Sequence, residues 1–271
     1  MYDLIVSNGM VVDGTGASRR IADVAIENGR IAAIGRIPRS SARRVLDAEG
    51  RIVAPGIIDP HTHYDPQITL DPFASSSCFH GVTTVVAGNC GFALAPTKSV
   101  ARDAVKKIFA RVEEIDPAVL DRIPWDFETF PEFLAAREGR LGINAAFYVG
   151  HSNVRLWVLG EDAYEREATP DEIGAMRRIV GQAMAAGAAG LSSSHSPTDF
   201  DAMDRPVPSR RASIEELEAL AAEVGGAHCG SIAYLPFSAV GGLTAEDGEL
   251  LIRMALASRL PVIIQGLGAR S

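Results

Sequence analysis

Residues 52–65 read IVAPGIIDPHTHYD, an apolar run with almost no charge that ends in two histidines one residue apart. In an extended strand, side chains two residues apart point to the same side. His61 and His63 therefore project together while Thr62 faces away. Two imidazoles aimed into one pocket are a ready pair of metal ligands, because ring nitrogens suit zinc at about 2.0–2.1 Å. The competing reading is a pair of hydrogen-bonded histidines in a loop. The run before them reads as a buried strand.

Working outward, the chain changes character near residue 50. Before that point YDLIVSNGMVVDG, ADVAIENGRIAAIG and RRVLDAEGRIVAPG are short β-rich runs punctuated by Asn-Gly, Asp-Gly and Glu-Gly. These are hairpin signatures, so residues 1–51 are expected to form a strand-only module. Over residues 52–271, strand-length apolar runs alternate with helical segments, which predicts βα units and a parallel sheet or barrel. The strand candidates are IVAPGIID (52–59), GVTTVVAGN (81–89), INAAFYVG (143–150), AAGLSSS (188–194), GSIAYLPF (230–237) and PVIIQGLG (261–268). Three helices announce their starts: Thr169 with Pro170 and Glu172, Ser213 with Glu216, and Thr244. Gly187 is placed to stop the first of them. The helix-rich residues 98–140 form an excursion between the second and third strands, of the kind that covers or shapes a site.

Strand polarity then sorts the six histidines. In a barrel, residues just past the C-terminal end of a strand face the active-site mouth. His61 and His63 follow the first strand, His151 the third and His195 the fourth, so these belong at the mouth. His80 and His228 precede strands and read as structural or surface residues. The second strand ends in Cys90, a third soft ligand whose thiolate a metal would stabilise. Cys78 and Cys229 lack such placement and read as packing residues.

Bulk properties narrow the function. A chain of 271 residues with 47% hydrophobic content can bury a large core. A net charge of -8 without a basic stripe argues against a nucleic-acid partner. No apolar run approaches the roughly 20 residues of a membrane span, and MYDLIVSNGM has neither the basic start nor the cleavage site of a secretory signal. A cytoplasmic protein without a membrane partner is expected. An odd number of cysteines, three, argues for reduced thiols rather than a disulfide framework.

Together VSNGMVVDGTG, VLDAEGRIVAPGIIDPHTHYD and GVTTVVAGNCGFALAP resemble the N-terminal part of the amidohydrolase superfamily. More narrowly they resemble its N-acyl-D-amino-acid deacylase (D-aminoacylase) branch, as do WDFETFPEFL and NAAFYVGHSNVR; the cysteine of GNCG is the distinguishing feature. The resemblance implies an α/β fold with a TIM-type (β/α)8 barrel and a small composite β-sandwich. About six barrel strands and the N-terminal part of the sandwich would lie in this chain. It also implies a zinc-dependent hydrolase that cleaves the amide of N-acyl-D-amino acids, with His61, His63 and Cys90 matching the family's ligands. Cys90 stands where many relatives use a carboxylated lysine, and the lysines here, Lys98, Lys106 and Lys107, are not at strand ends.

Departures from the branch matter too. It places a histidine at the end of the fifth strand and another at the end of the sixth, where this chain reads YLPFS and IIQGLG. Gln265 is a weak substitute, and Tyr234 can at most hydrogen-bond a substrate. The family's late aspartate, which serves as general base, is expected beyond residue 271. The missing strands point to a further C-terminal portion or a partner chain, and a homo-oligomer is a further expectation. Strand-end placement makes both His151 and His195 candidate replacements for the absent ligands; His151 is read rather as a substrate contact or a hydrogen-bonding support, and for His195 ligand and non-ligand roles stand level. Arg210 is either a contact to a substrate carboxylate or, with Arg211, a solvated loop charge. Thiolate and imidazole favour zinc over magnesium, and with only the His61, His63 and Cys90 ligands visible, one strongly held ion is favoured over two. The alternatives are an amidohydrolase acting on cyclic or small N-acyl amides, and a non-catalytic relative that lost its ligands on strands five and six.

Overall fold

The computed structural model describes residues 1–266 and 268. They cluster into two compact units, Met1–Ile57 and Ile58–Ser271. In the first, β1 (Tyr2–Val11), β2 (Arg20–Glu27), β3 (Arg30–Gly35), β4 (Ala42–Asp47) and β5 (Ile52–Val53) make one sheet ordered β3-β2-β1-β4, with β5 also on β1. The predicted hairpin is present at Asn28-Gly29, both at positive φ (52° and 72°), as a tight turn between β2 and β3 requires. The Glu49-Gly50 turn is no hairpin. Both β4 and β5 run parallel to β1, so this turn is an excursion along one edge. Ile5, Val11, Ala22, Val24 and Ala25 are buried, whereas Ile21, Ile31 and Leu46 are exposed.

The second unit follows the βα reading. Its strands are β6 (Ile57–Asp59), β7 (Val82–Ala87), β8 (Asn144–Gly150), β9 (Gly190–Ser194), β10 (Ser231–Leu235) and β11 (Val262–Ile264). They form a six-stranded half-barrel sheet in sequence order, and each pair from β7–β8 to β10–β11 is parallel. Of the predicted strand 261–268, Leu267 lies outside the described residues.

The helices are α1 (Asp65–Leu70), α2 (Ser75–Cys78), α3 (Arg102–Val112), α4 (Pro117–Leu120), α5 (Phe130–Arg137), α6 (His151–Leu159), α7 (Pro170–Ala186), α8 (Ile214–Gly226) and α9 (Ala245–Ser258). Reciprocal capping boxes start α7 at Thr169 and Glu172 and α9 at Thr244 and Asp247, and Gly187 ends α7 in the left-handed conformation. Segment 98–140 carries α3, α4 and α5, and Phe133 of α5 meets Phe147 of β8 edge to face at 4.9 Å.

Two expectations are corrected. The run 52–59 is not one buried strand: Ile52–Val53 joins the first sheet and Ile57–Asp59 the second, with Ile57 and Ile58 55% and 63% exposed. Pro55 has no N–H for a ladder, so the run breaks there. Ser213 does cap α8, but the Glu216 side chain does not complete the box. It turns inward to His151 and Arg155.

Candidate metal centre

Beyond β6 the chain is held by Thr62, whose backbone N–H and hydroxyl both donate to the Val86 carbonyl at 2.9 Å. With Thr62 buried against β7, the imidazoles on either side turn the other way and lie 5.4 Å apart between ring centroids. His63 stacks on Phe92 at 4.9 Å, which fixes its plane. Cys90 arrives from β7 on the turn Gly88-Asn89-Cys90-Gly91. Cys90 itself is left-handed (φ 53°), and a Cβ at Gly91 would meet the Ser194 nitrogen at 2.8 Å. The turn thus sits directly on β9, which is why the sequence needs glycine there.

One ligand atom from each of His61, His63 and Cys90 lies within 4.8 Å of the others, and Cys90 Sγ is 3.4 Å from His61 Nε2. Two ligands on tetrahedral zinc, at bonds of about 2.0 and 2.3 Å, stand roughly 3.5 Å apart. The group therefore fits a shared ion. Electrostatics agree. Burial, then the neighbouring His61, lowers His63 to about 3, so its ring is neutral at pH 7 with one nitrogen lone pair to offer, and its Nδ1 is buried without a partner. Burial also lowers His61, against the opposing pull of Asp59. Burial, with the carboxylates of Asp199 and Glu113, pushes the Cys90 thiol up, a position from which a bound cation would release the proton.

Glu113, just after α3, was not anticipated. Its Oε1 is 3.5 Å from His63 Nε2, and burial followed by Asp199 and Asp65 raises its carboxyl to about 7. It comes from the insertion rather than a strand end, so strand polarity carried no signal for it.

The remaining candidates are engaged in other contacts. His151 is fully buried with both ring nitrogens engaged, Nδ1 with Ser193 Oγ at 2.8 Å and Nε2 with Glu216 Oε1 at 2.7 Å. Arg155 pairs with the other oxygen of Glu216. The geometry resembles a nucleophile, base and acid, but all of these groups are buried and serve to join β9, α6 and α8. His195 Nδ1 meets the Tyr234 hydroxyl at 2.8 Å, while its Nε2 is buried and unpartnered. Tyr234 is itself fully buried. Arg210 donates to the carbonyls of Pro197 (3.5 Å) and Asp199 (3.3 Å) and covers Phe200, so it staples its loop. Gln265 directs its amide to Asn89 and the Cys90 backbone. His80 and His228 are exposed.

Residues 44–268 match the amidohydrolase family. Similar curated proteins, from Alcaligenes xylosoxydans xylosoxydans, are a D-aminoacylase (38% identity over 70% of this chain and 37% of that protein) and an N-acyl-D-glutamate deacylase (39%, 70% and 36%). Among solved structures, a D-aminoacylase studied for the role of its binuclear metal centre superposes with a TM-score of 0.82 at 34% identity. The N-acyl-D-glutamate deacylase of Bordetella bronchiseptica, complexed with zinc and a phosphonate inhibitor, gives 0.77 at 30%. Each match covers 99% of this chain and 52% of the solved one, so the chain spans about half the length of these relatives. With the family's model matched over residues 44–268, the chain belongs to the amidohydrolase family.

Proposed function

We propose that the protein is a zinc-dependent hydrolase that cleaves the amide of N-acyl-D-amino acids. The observation that carries this is the convergence of His61, His63 and Cys90 ligand atoms within 4.8 Å at the ends of neighbouring strands. The D-amino acid class is supported by the names of the relatives, and zinc by the ligand chemistry and by the ion in the Bordetella bronchiseptica structure. When bound, zinc supplies a water of lowered pKa and polarises an amide carbonyl. The chain's own residues hold and orient: His61 and His63 present neutral imidazoles, Phe92 fixes the plane of His63, and Thr62 keeps both rings on one side.

A second reading has its own support. No histidine stands at the ends of β10 and β11 among the described residues, and the Gln265 amide is already spent, which favours one ion over two or a relative without catalysis. Elemental analysis of the purified chain beside Cys90→Ala tests the site. About one zinc per chain, lost in the variant, is the expected result. A panel of N-acyl-D- and N-acyl-L-amino acids and cyclic amides then tests the reaction, with release of free D-amino acid expected. Turnover of cyclic amides alone overturns the substrate assignment, and turnover of none by a chain that holds zinc supports the relative without catalysis.

A further inference from the structure

We propose that Asn89 and Gln265 form an amide clamp that positions the ligand set, so that Gln265 is a positioning residue at the end of β11. Asn89 Nδ2 donates to the carbonyls of Thr62 (3.1 Å) and Val86 (3.0 Å). Gln265 Nε2 donates to Asn89 Oδ1, and the Cys90 backbone N–H donates to Gln265 Oε1 at 2.9 Å. Gln265 is anchored in turn by its own N–H on the Tyr234 carbonyl at 2.8 Å. Both amides are buried.

The orientation of every group in this relay is dictated by backbone at its two ends. A backbone N–H can only donate, so Gln265 must turn its oxygen to Cys90 and its NH2 to Asn89. Asn89 must then present its oxygen to Gln265, which leaves its NH2 for the two carbonyls. One of these is Thr62, the residue between His61 and His63. The clamp therefore ties the histidine loop, the cysteine turn and the last described strand into one unit. It also accounts for Cys90 holding a left-handed backbone, a conformation that persists in a residue with a Cβ only where its surroundings fix it. An ionised glutamate lacks the donor that Asn89 receives, and an apolar residue lacks both groups.

The part of this inference that concerns metal rests on the reading of His61, His63 and Cys90 as ligands; the part that concerns Cys90 does not. The test uses the chain with Cys78→Ser and Cys229→Ser, which leaves Cys90 as its thiol, and adds Gln265→Met or Gln265→Glu. Two quantities are read at a temperature where circular dichroism shows every variant folded. One is the Kd for cobalt(II), followed by the thiolate-to-cobalt absorption band. The other is the rate of Cys90 alkylation by iodoacetamide without metal.

Gln265→Met is expected to weaken cobalt binding by about 10–100-fold, as loss of a supporting hydrogen bond does at metal sites, and to speed alkylation. Gln265→Glu, which still accepts from the Cys90 N–H, is expected to recover part of both. Unchanged alkylation and cobalt affinity in Gln265→Met overturns the clamp. Equal changes in the two variants, matched by equal losses of Tm, reduce Gln265 to a packing residue and also overturn it. Absence of cobalt binding in the parent overturns the ligand reading, and the alkylation rates still decide the clamp.

Discussion

His195 shows how burial sets chemistry at one residue. Burial first, then the nearby His151, lowers its pKa from the ordinary 6.5 to about 4, against smaller opposing contributions from the Ser209 backbone and Glu216. The ring is neutral at pH 7, with the Tyr234 hydroxyl on Nδ1. Between these pH values the unfolded chain binds more protons at this site than the folded one, so stability rises with pH. The contribution is complete above about pH 6.5 and is lost as the pH falls towards about 4. Urea unfolding of the parent should therefore lose up to about 3 kcal/mol across this window through His195, and His195→Gln should show a shallower dependence. Equal slopes would sink the argument. His61, His63 and Cys90 were legible in the sequence because their placement depends only on where a strand ends. Gln265 was legible only as a weak substitute ligand, and Glu113 and Asn89 not at all, because each acts through a contact made by tertiary folding: Gln265 meets Cys90 from 175 residues away.

Among the elements, α7 and α8 separate what is local from what is not. The α7 cap is written in four consecutive residues, Thr169 to Glu172, and forms as read. Thr169→Ala should cost about 1 kcal/mol, the usual value of such a cap. Glu216 occupies the same position in α8, yet its carboxylate goes to partners 61 and 65 residues earlier, Arg155 and His151, because buried charge demands a counter-charge more strongly than a helix end demands a cap. Burial alone would raise this carboxyl, but the hydrogen bond and charge of His151, with the guanidinium of Arg155, hold it below the usual range. Glu216→Ala leaves Arg155 buried without its partner, and a loss of about 3–5 kcal/mol is expected. Urea midpoints of both variants measure the contrast. A Glu216→Ala cost no larger than that of Thr169→Ala would show that the network contributes nothing beyond a cap.

For the whole molecule, the deciding feature is a sheet that is not closed among the described residues. The alternation of strand and helix made its order readable, since each strand pairs with its sequence neighbour, and only the first strand was misjudged, at Pro55. Among the described residues β6 pairs only with β7 and β11 only with β10. Both edges carry exposed apolar side chains: Ile58 is 63% exposed, Ile263 45% and Ile264 38%. Parallel strands are normally covered on both faces, and an uncovered apolar edge offers unpaired N–H and C=O groups to another chain. The isolated chain is therefore expected to self-associate, and sedimentation velocity over about a hundredfold range of concentration should show mass rising with concentration. Lysine at an edge discourages pairing because its charge must stay hydrated. Ile58→Lys or Ile264→Lys should shift the association to higher concentration while leaving the far-ultraviolet circular dichroism unchanged. If the parent sediments as a monomer throughout, its edges are not the adhesive surfaces that their exposure and composition imply. If the parent associates but neither substitution alters it, the contact lies on another face.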